Sequence, residues 1–339
     1  FRQSFALTPQ EESEKLLAIL KRTLSGTLGK NLIDIDFTTR QVVDSEEHSL
    51  LMELRNSSLN NEEAAQALFQ RIVQSLSIEG HYVILLAYDT YDVPYRSKDG
   101  EQQEDASSEV YSYFLCSICP VKMTKPALSY YVNENMFHNR KEDWIVAAPE
   151  IGFLFPAFED RSTNIYSALY YTRDIAENHQ EFVDAVFHCE VPMPAAEQKE
   201  TFESILGETL AEDCSYDVVQ SVHGQLSGMI EEHKANKEVE PLVLSKTAVK
   251  RVLESCGVPE ERTATFDEKY DTVFGADTEL RPRNIINSKQ FEVCTPDVTI
   301  RVNPERSDLL ETRVIDGKKY ILIRAEEGVE VNGVQIHIS

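Results

Sequence analysis

The residues best placed to do chemistry are Phe158-Glu-Asp-Arg-Ser-Thr-Asn164, with Glu150 just upstream. Two carboxylates, a guanidinium and three hydroxyl or amide side chains between apolar runs have the composition of a small polar site or an anion clamp. Glu150, Asp160, Arg161 and Asn164 are therefore the catalytic or ligand-binding candidates. The same residues suit a turn in which Asp160 and Asn164 satisfy their own backbone and Arg161 pairs with a nearby acid, which is the commoner use of such a loop and the favoured reading.

Other motifs carry less. Cys116-Ser-Ile-Cys119 has redox or zinc spacing, but it ends the apolar run that begins at Val110. On a strand, residues three apart point to opposite faces, and no second Cys/His pair supplies the missing ligands. Buried reduced thiols are expected. Ser25-Gly-Thr-Leu-Gly-Lys-Asn31 has the flavour of a phosphate loop with the wrong spacing, and it follows a helix and precedes a strand, the reverse of the order that aims N–H groups at phosphate. A helix terminated at Gly26 and a turn at Gly29 account for it. The histidine spacings, His179 to His188 and His223 to His233, match no helical metal site, and Gly-x-Ser-x-Gly is absent. No metal and no cofactor are expected.

Charge narrows the partners. The 339 residues hold 58 acids against 33 Lys/Arg, a net of −25. Such a surface opposes accumulation on nucleic acid or anionic membrane. The acidity is uneven, because residues 279–339 carry nine bases against ten acids, which leaves −24 on the preceding 278. No run reaches the length of a membrane span; the best, Trp144 to Phe158, is broken by Pro149, Glu150 and Pro156. The first residue is Phe1, so a targeting segment upstream stays open, and a cytoplasmic location is expected.

The elements that must position these residues read as α+β: an N-terminal domain of mixed or antiparallel sheet with flanking helices, a helical middle, and a small antiparallel β-unit at the C-terminus. Thr8-Pro9-Gln10-Glu11 starts a first helix, with Thr8 as cap and Pro9 at its first position. Asn31–Phe37 alternates as a strand, and helices are expected over 45–56 and 61–76. His81–Tyr88 and Val110–Ile118 are long apolar strands joined by the polar insert 95–108. Strands continue to Thr172, followed by a helix at 176–187. Val191-Pro-Met-Pro194 is the expected linker, giving domains 1–190 and 191–339. Helices follow at 195–211, 215–235, 245–256 with Ser245 as cap, and 259–274, then the β-unit at about 289–339. Asp316-Gly317 and Asn332-Gly333 supply the positive φ angles of two-residue hairpin turns.

Four runs, Ser25-Gly-Thr-Leu-Gly-Lys-Asn-Leu-Ile-Asp, His81 to Tyr95, Cys116-Ser-Ile-Cys-Pro-Val-Lys and Asn303-Pro-Glu-Arg-Ser-Asp, resemble an uncharacterised bacterial domain-of-unknown-function family, four-three-one-seven. That resemblance spans the chain and implies no activity. In the order of its parts, and in Tyr82-Val-Ile-Leu-Leu-Ala-Tyr, Leu244-Ser-Lys, Val298-Thr-Ile-Arg-Val and the Arg313 to Ile323 hairpin, the chain is also similar to nucleoid-associated proteins of the YejK/NdpA type. This second similarity implies DNA association through the C-terminal half, with Lys246, Lys250, Arg251, Arg281, Arg283, Arg301 and Lys318 as phosphate contacts.

The leading expectation is a non-enzymatic binding protein associated with nucleic acid or the nucleoid, or with another protein. The alternatives are an enzyme or small-ligand protein centred on Glu150 and Asp160–Asn164, and an acidic protein-interaction module. The oligomeric state is not set by the sequence.

Overall fold

The computed structural model describes residues 7–77, 80–96, 102–177, 179–236, 238, 240–276, 278–325, 328–331 and 333–336. Of the polar insert 95–108, residues 97–101 and the remaining side chains lie outside the described residues. The chain is α+β and divides into two compact units, Phe1–Glu197 and Gln198–Ser339.

The first unit opens with α1 (Gln10–Thr23), β1 (Leu32–Asp36), α2 (Thr39–Asp44), α3 (Glu46–Asn56) and α4 (Glu62–Ser75). The first helix starts one residue later than the Thr8 cap predicts, with Pro9 in the cap position. Ser45 and Asn61, the first residues of the expected helices, are their caps instead: their side-chain oxygens accept from the backbone N–H of His48 and Ala64. Then come β2 (His81–Arg96), β3 (Gln102–Met123), β4 (Ala127–Tyr131), β5 (Met136–Arg140), β6 (Trp144–Val146), β7 (Ile151–Phe155), β8 (Ala157–Glu159), β9 (Ser162–Asn164) and β10 (Ser167–Thr172). Helix α5 (Gln180–Phe187) begins four residues later than expected, because Asp174 to Glu177 forms a turn held by the Asp174 side chain and backbone.

The main sheet runs β1-β10-β7-β3-β2, every pair antiparallel, with β6 added to the far end of β3. Alternation along its strands builds two cores. On one face Ile35, Phe114, Cys116, Phe153, Phe155 and Tyr170 meet Leu51, Leu54, Leu68, Ile72, Phe182 and Phe187 of α3, α4 and α5. On the other, Leu115 and Leu154 meet Leu20 of α1 with Val93 and Tyr111. Helix α1 approaches so closely that Thr23 Oγ1 and Ser117 Oγ share a buried hydrogen bond of 2.6 Å over Gly152.

The second unit holds α6 (Ala195–Leu210, which starts just before it), α7 (Tyr216–Asn236), α8 (Lys246–Ser255), α9 (Glu260–Val273) and α10 (Pro282–Ile285). Phe202, Leu210, Leu226, Leu253, Phe266 and Tyr270 form its core. The terminal β-unit is not one sheet. It consists of three separate two-stranded pairs: β11 (Phe291–Cys294) with β12 (Thr299–Val302), β13 (Leu310–Ile315) with β14 (Lys318–Ile323), and β15 (Val329–Val331) with β16 (Val334–Ile336). Asp316 and Gly317 take φ of 50° and 76°, as their turn requires. Asn332 of the last turn lies outside the described residues. No described helix is long and apolar enough to cross a membrane.

Candidate nucleic-acid interface

The polar run at Glu159–Asn164 is a hairpin. Asp160 and Arg161 both have positive φ, 45° and 68°, and form the two-residue turn between β8 and β9. Asn164 Nδ2 donates to Glu159 Oε2 at 2.8 Å, its Oδ1 accepts from the Tyr166 backbone at 3.0 Å, and the Arg161 guanidinium donates to the Pro94 carbonyl. Glu150 lies before β7 and the turn lies beyond it, so the length of that strand, about 17 Å, separates them. Glu150 instead faces Arg173 at 3.5 Å, near His179, whose burial holds the imidazole below its ordinary pKa. The four candidates are thus not gathered into one site. Their hydrogen bonds are those of a self-satisfied turn and a strand-end ion pair.

Cys116 and Cys119 are buried free thiols on one continuous strand, three residues apart. Burial pushes the Cys119 thiol up to about 11 and raises that of Cys116 as well, so neither is a thiolate at neutral pH. No group of three or more metal-ligating side chains gathers among the described residues. In the loop after α1, Gly26 does not take a left-handed conformation; a Cβ there would lie 2.8 Å from both Asn31 Oδ1 and Leu32 Cγ, so close packing, not helix termination, demands glycine. Gly29 makes the turn, at φ 75°.

The seven basic candidates of the C-terminal half occupy different settings. Lys246 and Lys250, one turn apart on α8, face α9, where Asp271 accepts at 2.6 and 2.8 Å and Asp267 at 3.0 Å. The Asp267 hydrogen bond raises the Lys250 pKa. Arg301 is held by Glu292 at 2.7 Å across the β11–β12 pair. Arg281 is buried at 3% exposure, because the backbones of Leu244 and Leu280 pair at 2.8 and 2.9 Å and draw the next residue inward. Arg251, Arg283 and Lys318 are exposed, each on a different element.

A different region gathers cations with exposed rings. The β4–β5 hairpin stands off the main sheet as a two-stranded arm, closed at its tip by Asn135 at φ 50°, which accepts a hydrogen bond from the Tyr130 hydroxyl, and at its base by Thr124 and Asp143. Tyr130-Tyr131 and Met136-Phe137 are consecutive, so apolar groups face both sides: Tyr130 meets Phe137 at 5.1 Å on one, and Tyr131 meets His138 at 4.8 Å on the other. Tyr130, Tyr131, Phe137 and the neighbouring Trp144 are 49%, 52%, 65% and 52% exposed, far beyond what rings retain in a packed core. Residues 122–144, the arm with its base and Trp144, hold Lys122, Lys125, Arg140 and Lys141 against Glu134, Glu142 and Asp143, a net of +1 in a chain of −25. All four cations are exposed, and none forms an ion pair among the described residues; Glu134 is taken by His138 at 2.9 Å.

Sequence reasoning reads this segment only as strand-rich. The available signal is the doubled aromatics, which break the alternation of a half-buried strand, flanked on both sides by Lys and Arg. A comparison with curated proteins finds no match, and nothing in it supports the similarity to nucleoid-associated proteins. The family model described as Domain of unknown function (DUF4317) matches residues 1–334, and the chain belongs to that family.

Proposed function

We propose that this protein is a non-enzymatic binding protein that holds single-stranded nucleic acid on the β4–β5 arm, in the cytoplasm. The observation that carries the reading is the set of four cations, without an ion-pair partner among the described residues, that flank the β4–β5 hairpin, together with the exposed rings of Tyr130, Tyr131 and Phe137 on it and of Trp144 on the neighbouring β6. Phosphates supply counter-charge to Lys122, Lys125, Arg140 and Lys141, which pair with no acid among the described residues, while unpaired bases offer faces that stack on Tyr130, Tyr131, Phe137 and Trp144. A duplex keeps those faces inside its own stack, so single strands are preferred. An isolated two-stranded hairpin is also marginal in water, and a ligand that covers its rings stabilises it. The acidic remainder of the chain repels phosphate and confines binding to this surface.

Fluorescence anisotropy of a labelled oligothymidine across a salt series tests the reading. Four phosphate contacts predict a slope of log affinity against log salt of about −3, from roughly 0.7 per contact on a single strand. Replacing Lys122, Lys125, Arg140 and Lys141 by Gln should flatten that slope, whereas Lys318→Gln should leave it unchanged. Absence of binding at low salt, or a slope indifferent to the four substitutions, contradicts the proposal.

A further inference from the structure

Strand β2 ends the main sheet, and among the described residues no strand pairs with its outer edge. Both of its faces are nonetheless packed: Tyr82, Ile84, Leu86 and Tyr88 lie against the helix-covered core, and Leu85 and Ala87 against the α1 side. The result is seven consecutive half-buried residues, Tyr82 to Tyr88, beside the fully buried run Phe114 to Cys119 on its inner neighbour β3. What separates the two strands is the missing partner on one flank. Edges left open in this way are usually protected by Lys, Pro or a bulge. Here Pro94 and the register shifts beside it interrupt only the distal end, and the Arg161 guanidinium holds the Pro94 carbonyl there; Tyr82 to Tyr88 carries no charge at all.

We infer that β2 pairs antiparallel with β2 of a second copy of this chain, about a two-fold axis at Leu85. In that register Ile84 lies opposite Leu86, Val83 opposite Ala87, and Tyr82 opposite Tyr88. Each pair joins residues of equal parity, so the helix-covered faces of the two sheets stay on the same side. One residue further out, His81 of each copy, whose ring packs edge-on against Trp144 of its own chain, meets Asp89 of the other, whose carboxylate also accepts from the Thr90 backbone and the Tyr113 hydroxyl, so an imidazole faces a carboxylate at both ends of the paired segment. Two chains of −25, counted with histidine neutral, thus meet along an uncharged strand with an imidazole facing a carboxylate at each end. A second copy fits this edge through its own symmetry. The inference does not rest on the nucleic-acid reading.

Sedimentation velocity of the full chain at micromolar concentrations should show a dimer. His81→Asp places carboxylates opposite carboxylates; symmetry counts that pair twice, and the dimer dissociation constant should rise about tenfold. The double variant His81→Asp/Asp89→Lys should restore wild-type dimerisation. Both positions are exposed, so the fold is retained, which circular dichroism checks. A chain that stays monomeric at every concentration overturns the inference, as it would if a segment of the same chain or a foreign peptide filled the edge. A dimer equally tight with His81→Asp overturns it too.

Discussion

Gly152→Ala is expected to destabilise the N-terminal unit by about 3 kcal/mol, the upper range for overpacking a well-filled core. An added Cβ would lie 2.4 Å from Thr23 Cγ2 and 2.5 Å from the Cys116 carbonyl oxygen. The first neighbour is a side chain of α1, and the second is backbone in the middle of β3, paired on both sides. Relief therefore requires α1 to lift away from the sheet and the buried Thr23–Ser117 hydrogen bond to break. The thermal midpoint should fall by about 6–12 °C for a unit of this size. Adding Thr23→Ser removes the Cγ2 contact but not the carbonyl one, so it should recover part of the loss, and the double-mutant cycle separates the two clashes. A Gly152→Ala protein within about 0.5 kcal/mol of wild type would show that α1 does not pack on β7 as described.

The second large effect concerns the arm. Replacing Tyr130, Phe137 and Trp144 together by Ala should weaken binding of single-stranded nucleic acid at least 100-fold, since stacking contributes about 1–3 kcal/mol per base. Stability should change little, because all three rings are about half exposed or more and none belongs to a hydrophobic core, Trp144 packing on the exposed His81 and Tyr130 on Phe137. The salt slope should persist, because the four cations remain. This separates the ring contribution from the phosphate contribution: ring removal lowers affinity at every salt concentration, and cation removal flattens the slope. Affinity that survives loss of the three rings would place binding elsewhere.

Much of the fold was legible in local chemistry. Ser245 read as a helix cap because its side chain reaches the N–H groups at the start of a helix, and it does so. Asp316-Gly317 read as a hairpin turn because few residue pairs tolerate two positive φ angles, and the turn forms there. Pairing beyond the hairpin was not legible. The strands at 291–336 have the composition of a small sheet, yet they form three separate pairs, because local turn signals do not specify which hairpins meet.

The site was harder to read than the fold. Glu150 and Asp160–Asn164 have the residue types of a polar pocket, but the same types close a two-residue turn, and only the positive φ angles at 160 and 161 tell the two apart. Arg281 lies in Leu280-Arg-Pro-Arg283, a polar-looking stretch whose burial depends on a backbone pairing to Leu244, thirty-six positions away. Lys246 and Lys250 looked available because their acids, Asp271 and Asp267, sit on the next helix. The doubled aromatics of the arm were visible, but an exposed hairpin and a buried strand share the same composition until the third dimension places them.

The most direct test of the central claim is photocrosslinking of a bromouracil-substituted single-stranded oligonucleotide to the purified chain, followed by peptide mapping. The account predicts adducts at Tyr130, Tyr131, Phe137 or Trp144, abolished by excess unlabelled single strand and spared by duplex. Adducts confined to the β13–β14 hairpin around Lys318, or a chain that does not crosslink at all at low salt, would contradict it.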